Sequence, residues 1–176
     1  MDTPLPLLGF AAFSGTGKTT LLERLIPLLR EQGLRIALVK HTHHDFDIDR
    51  PGKDSYRLRE AGAEQVLLAS NRRWALLVET PGQDEADLGE LLRHIDAGRA
   101  DLVLVEGFRH LAIPKIELHR EATGRPWLHP DDPNIIAVVS DRPPQAALPW
   151  FSFDDLPAIR DFVMAQVARP TENDRS

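Results

Sequence analysis

Residues Ser14-Gly15-Thr16-Gly17-Lys18-Thr19-Thr20 carry the most specific chemistry in the chain. They fit the phosphate-loop pattern G-x-x-x-x-G-K-[ST] except at its first position, where Ala12 stands for glycine. Glycines let backbone amides turn inward around a phosphate. A helix beginning near Lys18 adds the positive end of its dipole. Lys18 can reach β- and γ-phosphates, and the Thr19 hydroxyl suits Mg²⁺. An apolar run precedes the loop and an amphipathic helix follows it, which separates it from a chance glycine turn.

Such a loop needs a carboxylate for Mg²⁺ from the carboxyl end of a neighbouring strand. Glu106 closes the apolar run 102–105 and is the preferred candidate. Glu79 is the second, since Glu79-Thr80-Pro81-Gly82 resembles the D-x-x-G switch of GTPases with Glu for Asp. Asp101 begins the 102–105 run, so it belongs at the wrong edge of a parallel sheet. Asp141 ends a later apolar run, 135–139. It can accept hydrogen bonds from a guanine edge although the Asn and Lys of N-K-x-D are absent; a turn-forming Asp is the equal alternative.

A third group is His41, His43, His44 and Asp45, followed by Asp49 and Lys53. Its position after the second apolar run favours a switch or substrate contact. A transition-metal site and a solvated loop are the alternatives. Helix capping is the plainer role for the residues around Lys53.

The elements that must position these groups are legible. Leu5–Phe13 reads as a buried strand, Lys18–Gln32 as a helix with Leu21, Leu22, Leu25, Leu28 and Leu29 on one stripe, and Ile36–Val39 as a second strand. Pro27 predicts a kink in that helix. A short helix over 54–61 and a hairpin around Asn71-Arg72 follow. A helix over 88–95, strands at 102–105, 113–118 and 134–139, a short strand near 151–153 and a last helix from Asp154 complete the order. Pro114 predicts an edge strand or a late start. The expected fold is a three-layer α/β phosphate-loop NTPase domain, mostly parallel, with an antiparallel hairpin insertion. Residues 1–168 read as one domain and 169–176 as a flexible tail.

Composition narrows the partners. There are 21 Lys+Arg against 27 Asp+Glu, a net charge of −6, so no nucleic-acid surface is expected. With no cysteine, thiolate metal sites and Cys nucleophiles are excluded. No apolar run is long enough to span a membrane and no signal peptide is visible, so a cytoplasmic location is expected.

Several blocks together resemble the molybdopterin-guanine dinucleotide biosynthesis protein B (MobB) family. They are Phe10 to Leu22, Lys40-His41-Thr42-His43-His44-Asp45, Pro51-Gly52-Lys53-Asp54-Ser55-Tyr56, Arg73-Trp74-Ala75-Leu76, Leu104-Val105-Glu106-Gly107-Phe108 and Ile136 to Asp141. The resemblance implies a homodimeric GTP-binding protein with weak GTPase activity that assists a guanylyltransferase of molybdenum-cofactor biosynthesis. GTP and Mg²⁺ would be its ligands and molybdopterin a further one, with the histidine segment and Lys53 facing nucleotide or cofactor. No catalytic residue, arginine finger or glutamine base is identifiable in the sequence. A nickel-type metallochaperone GTPase and a small-molecule kinase are the alternatives. Residues 120–132 carry no diagnostic motif.

Overall fold

The N-terminal apolar run forms β1 (Leu7–Ala12), and the glycine loop leads from it into α1 (Lys18–Glu31). β2 (Ile36–Lys40) returns parallel to the sheet. The structure is a computed structural model that describes residues 3–42, 47–82 and 85–168. Contacts divide the chain into two compact units, residues 1–41 with 87–176, and residues 42–86.

The first unit also contains α3 (Leu88–Leu92), β5 (Leu102–Glu106), β6 (Lys115–His119), β7 (Ile135–Ser140), β8 (Trp150–Phe151) and α4 (Leu156–Val167). Its six strands lie in the order β2-β5-β1-β6-β7-β8, every neighbouring pair parallel. Leu21, Leu22, Leu25 and Leu29 of the α1 stripe, though not Leu28, share one core with Ile159 and Val163 of α4 and with Leu8, Phe10, Leu102, Leu104, Ile116 and Leu118. α1 runs through Pro27. Pro114 gives the predicted late start: its carbonyl accepts from the Gly9 amide at 2.8 Å, and the strand begins one residue later. β6 is not an edge, however; it lies between β1 and β7.

β6 also departs from simple amphipathic alternation. Ile116 and Leu118 enter the helical core, and Lys115, Glu117 and His119 alternate with them yet are buried too, at 1%, 1% and 5% exposure. Buried polar groups require partners, and residues 120–134 supply most of them. Lys115 Nζ pairs with Asp132 at 2.8 Å and donates to the carbonyls of Arg109 and Leu111. Glu117 accepts from the Leu128 amide at 2.7 Å and from the His129 amide and ring Nδ1 at 2.9 Å each. His119 stacks on Trp127 with 3.7 Å between ring centroids. A segment without a motif is thus fastened by the polar half of one strand.

The second unit contains α2 (Asp54–Glu60) and the antiparallel pair β3 (Gln65–Ala69) and β4 (Trp74–Val78). Ser70 N–H donates to the Arg73 carbonyl at 2.8 Å to close the hairpin. Register places Gln65, Leu67 and Ala69 on the same face as Val78, Leu76 and Trp74, and Leu67, Trp74 and Val78 are exposed. Among the described residues, no helix is long and apolar enough to cross a membrane. The tail 169–176 lies outside the described residues.

Candidate nucleotide-binding site

The loop between β1 and α1 has the backbone shape its glycines predict. Gly15 and Gly17 take φ of +81° and +94°, and Gly17 is the N-cap of α1. Among the described residues no side chain caps this helix, which leaves its first amides open to an external acceptor. Thr16 is buried, and its hydroxyl donates to the Phe13 carbonyl at 2.7 Å. Thr19 and Thr20 are exposed at the head of the helix, as are Ser14 and Gly15 in the loop.

Parallel pairing brings the cluster beside the loop. β5 lies between β1 and β2, with Glu106 opposite Phe10 on one side and Lys40 on the other. The Glu106 carboxylate is consequently 3.5 Å from Lys18 Nζ and 3.5 Å from Lys40 Nζ, and the residue is buried. The Glu106 carboxylate and the Thr19 hydroxyl at the helix start are both oxygen donors of the kind that suits a hard divalent cation. Asp101, at the opposite end of β5, is spent on structure. It accepts from the Arg35 backbone amide at 2.8 Å and from the Arg35 guanidinium at 2.9 and 2.6 Å. These bonds, the side-chain one first, pull its pKa down to about 2.

His41 is drawn against the same cluster. Its amide donates to the Glu106 carbonyl at 2.8 Å, and its ring stacks on Phe108 at 4.6 Å. Gly107 makes this approach possible: at φ +92°, a Cβ there would lie 2.7 Å from the His41 Cβ. His43, His44 and Asp45 lie outside the described residues. Among the described residues, no three His, Asp or Glu side chains form a metal cage.

Glu79, Thr80, Asp49 and Lys53 belong to the second unit. There Arg59 ties Glu79 at 2.9 Å to Asp47 at 2.7 Å, and the bond to Glu79 is the main cause of its raised pKa. Asp49 accepts from the Arg50 amide at 2.9 Å. Lys53 is the exposed N-cap of α2 and makes no side-chain cap. Asp141, at the end of β7, accepts from the Glu121 amide at 3.3 and 3.2 Å.

Three arginines of the site escaped the sequence reading. Arg109 and Arg125 lie over the ring of Phe13 at 4.9 and 5.6 Å, next to Ser14. Arg120 Nε donates to the Thr16 carbonyl at 3.0 Å. No local pattern marks them, because they lie 96 or more positions beyond Phe13 and only the pairing of β1 with β5 and β6 brings them there.

The family model for MobB, molybdopterin guanine dinucleotide synthesis protein B, matches residues 7–141. The chain belongs to the MobB family. It is 52% identical over 163 residues to the molybdopterin-guanine dinucleotide biosynthesis adapter protein of Escherichia coli strain K12, covering 92% of this chain and 93% of that one. The adapter protein of the same name from Haemophilus influenzae is 43% identical over 163 residues, covering 93% and 90%. A crystal structure of molybdopterin-guanine biosynthesis protein B matches with a TM-score of 0.71 at 28% identity, over 93% of this chain and 99% of that one. The fold is therefore the phosphate-loop NTPase domain of MobB proteins, with the mostly parallel sheet and hairpin expected from the sequence.

Proposed function

We propose that this MobB chain is an adapter in molybdopterin-guanine dinucleotide biosynthesis that binds GTP with Mg²⁺ and assists the guanylyltransferase of that pathway. The observation that carries the reading is the Lys18–Glu106–Lys40 cluster beside an uncapped helix start. The adapter role rests on the names of its relatives.

In this reading the amides of residues 14–20 and Lys18 hold the phosphates. Thr19 and Glu106 hold Mg²⁺, which would neutralise phosphate charge. Arrival of a triphosphate gives Lys18 a second anionic partner, and a cation in turn takes over Glu106. Asp141 meets the guanine edge. Hydrolysis is slow, because no glutamine or catalytic base is identified at the loop. Arg109 and Arg125 make the loop's rim cationic in an acidic protein, which suits an anionic second ligand such as molybdopterin. The protein acts as a cytoplasmic homodimer. Isolated two-stranded sheets are marginal in water, and the exposed Leu67, Trp74 and Val78 are what a second copy would cover.

Three measurements test this. Lys18→Ala should abolish GTP binding in isothermal titration, and unchanged affinity would remove the phosphate-loop assignment. Asp141→Asn should move base preference from GTP toward xanthosine triphosphate; equal selectivity to the parent would free Asp141 of that role. A pull-down with the guanylyltransferase, with and without GTP, should recover the complex; no recovery in either condition would sink the adapter role.

A further inference from the structure

Between the phosphate loop and Asp141 lies the end of β6, and Arg120 is the first residue beyond it. Neighbouring strands are about 4.8 Å apart, so the carboxyl ends of β1 and β7 are separated by roughly 10 Å, with β6 in the middle. A ligand that has phosphates in the 14–20 loop and a base edge at Asp141 must cross Arg120.

Arg120 is built into that position. Its Nε donates to the Thr16 carbonyl at 3.0 Å. Its guanidinium lies over the ring of Phe153 at 3.8 Å, and a Cβ at Gly17 would stand 3.7 Å from its Nε. The next residue, Glu121, donates its amide to Asp141. Two consecutive residues thus fasten the phosphate loop to the loop after β7. No carboxylate pairs with the Arg120 guanidinium among the described residues, in a chain where acidic residues outnumber basic ones. A guanidinium packed over an aromatic ring is a planar cation of the kind on which a sugar and purine can stack.

We propose that Arg120 is the nucleoside-contacting residue of the site, a guanidinium platform for the sugar and base of a nucleotide whose phosphates lie in the glycine loop. It compensates for the absent Asn and Lys of the N-K-x-D pattern with a cation from the adjacent strand. The inference rests on the GTP reading above and adds a residue that reading lacks.

The test compares GTP with inorganic tripolyphosphate, each with Mg²⁺, by isothermal titration on the full chain and on Arg120→Ala and Arg120→Lys. Thermal unfolding checks that each variant is folded. Loss of a stacking contact should weaken GTP about tenfold in Arg120→Ala and leave tripolyphosphate within about twofold. Arg120→Lys, which keeps charge but not the plane, should show the same pattern more weakly. Equal loss for both ligands would mean that Arg120 only props the Thr16 carbonyl, and would overturn the proposal. Unchanged GTP affinity would overturn it as well. A parent chain that binds tripolyphosphate but gains nothing from the nucleoside overturns the proposal while leaving the phosphate loop intact. A parent chain that binds neither removes the GTP reading itself, and the proposal with it.

Discussion

Replacing Glu106 by glutamine keeps the shape of the side chain and removes its charge, so two effects of opposite sign should appear. The carboxylate stands 3.5 Å from each of two ammonium groups. One such pair is worth about 5 kcal/mol of gross attraction in an effective dielectric of about 20. Desolvation and side-chain ordering offset most of that. Lys40 is 51% exposed, so its net share is under about 1 kcal/mol. Lys18 is 19% exposed against 11% for Glu106, and breaking a pair so enclosed costs about 2–3 kcal/mol. The ligand-free variant should then melt about 5–10 °C lower by scanning calorimetry. In EDTA, however, Lys18 is no longer held by a carboxylate, so metal-free GTP or tripolyphosphate should bind more tightly than to the parent, by about tenfold. Adding Mg²⁺ should strengthen binding in the parent and do little in the variant. A variant that keeps both the parent's melting temperature and its Mg²⁺ enhancement would refute the assignment of Glu106 and the electrostatic argument behind it.

Gly107→Ala should cost about 2–4 kcal/mol and displace His41, because the new Cβ meets backbone strain at φ +92° and a contact at 2.7 Å; chemical denaturation and the His41 ring resonances would report it, and parent-like values for both would contradict the packing. Lys115→Met removes the cation that pairs with Asp132 and donates to the carbonyls of Arg109 and Leu111, so stability should fall by about 3 kcal/mol; limited proteolysis should then cut within 120–134 first, and protection equal to the parent's would refute the fastening role. Asp101, with its pKa lowered to about 2, stabilises the fold above the unfolded value near 4 and loses that contribution as pH falls toward 2. The stability gap between parent and Asp101→Asn should accordingly close between about pH 4 and 2; a gap that persisted below that window would exclude the Arg35 pair as its source. Leu67→Ser combined with Trp74→Ser should yield monomers in sedimentation velocity, whereas a parent already monomeric at assay concentration would rule out the hairpin face as a dimer contact.

Local chemistry by itself determined much of this protein. The glycine loop, the Leu stripe of α1 and the apolar runs of β1, β2, β5 and β7 are written in short windows of sequence, since strand and helix periodicities are local properties. Glu106 was legible too, because a carboxylate at the end of an apolar parallel strand falls at the edge where ligands bind. Strand order was not local. It decided that β6 is interior despite Pro114, and that Lys115, Glu117 and His119 are buried rather than solvated. The pairings of Glu117 with the 128–129 amides and of Lys115 with Asp132 reach 11 to 17 residues along the chain and leave no mark on composition or spacing. The arginines of the site follow the same rule. Arg109, Arg120 and Arg125 look like ordinary surface cations in one dimension, and only the parallel pairing of β1 with β5 and with β6 turns them into the cationic wall of the phosphate loop.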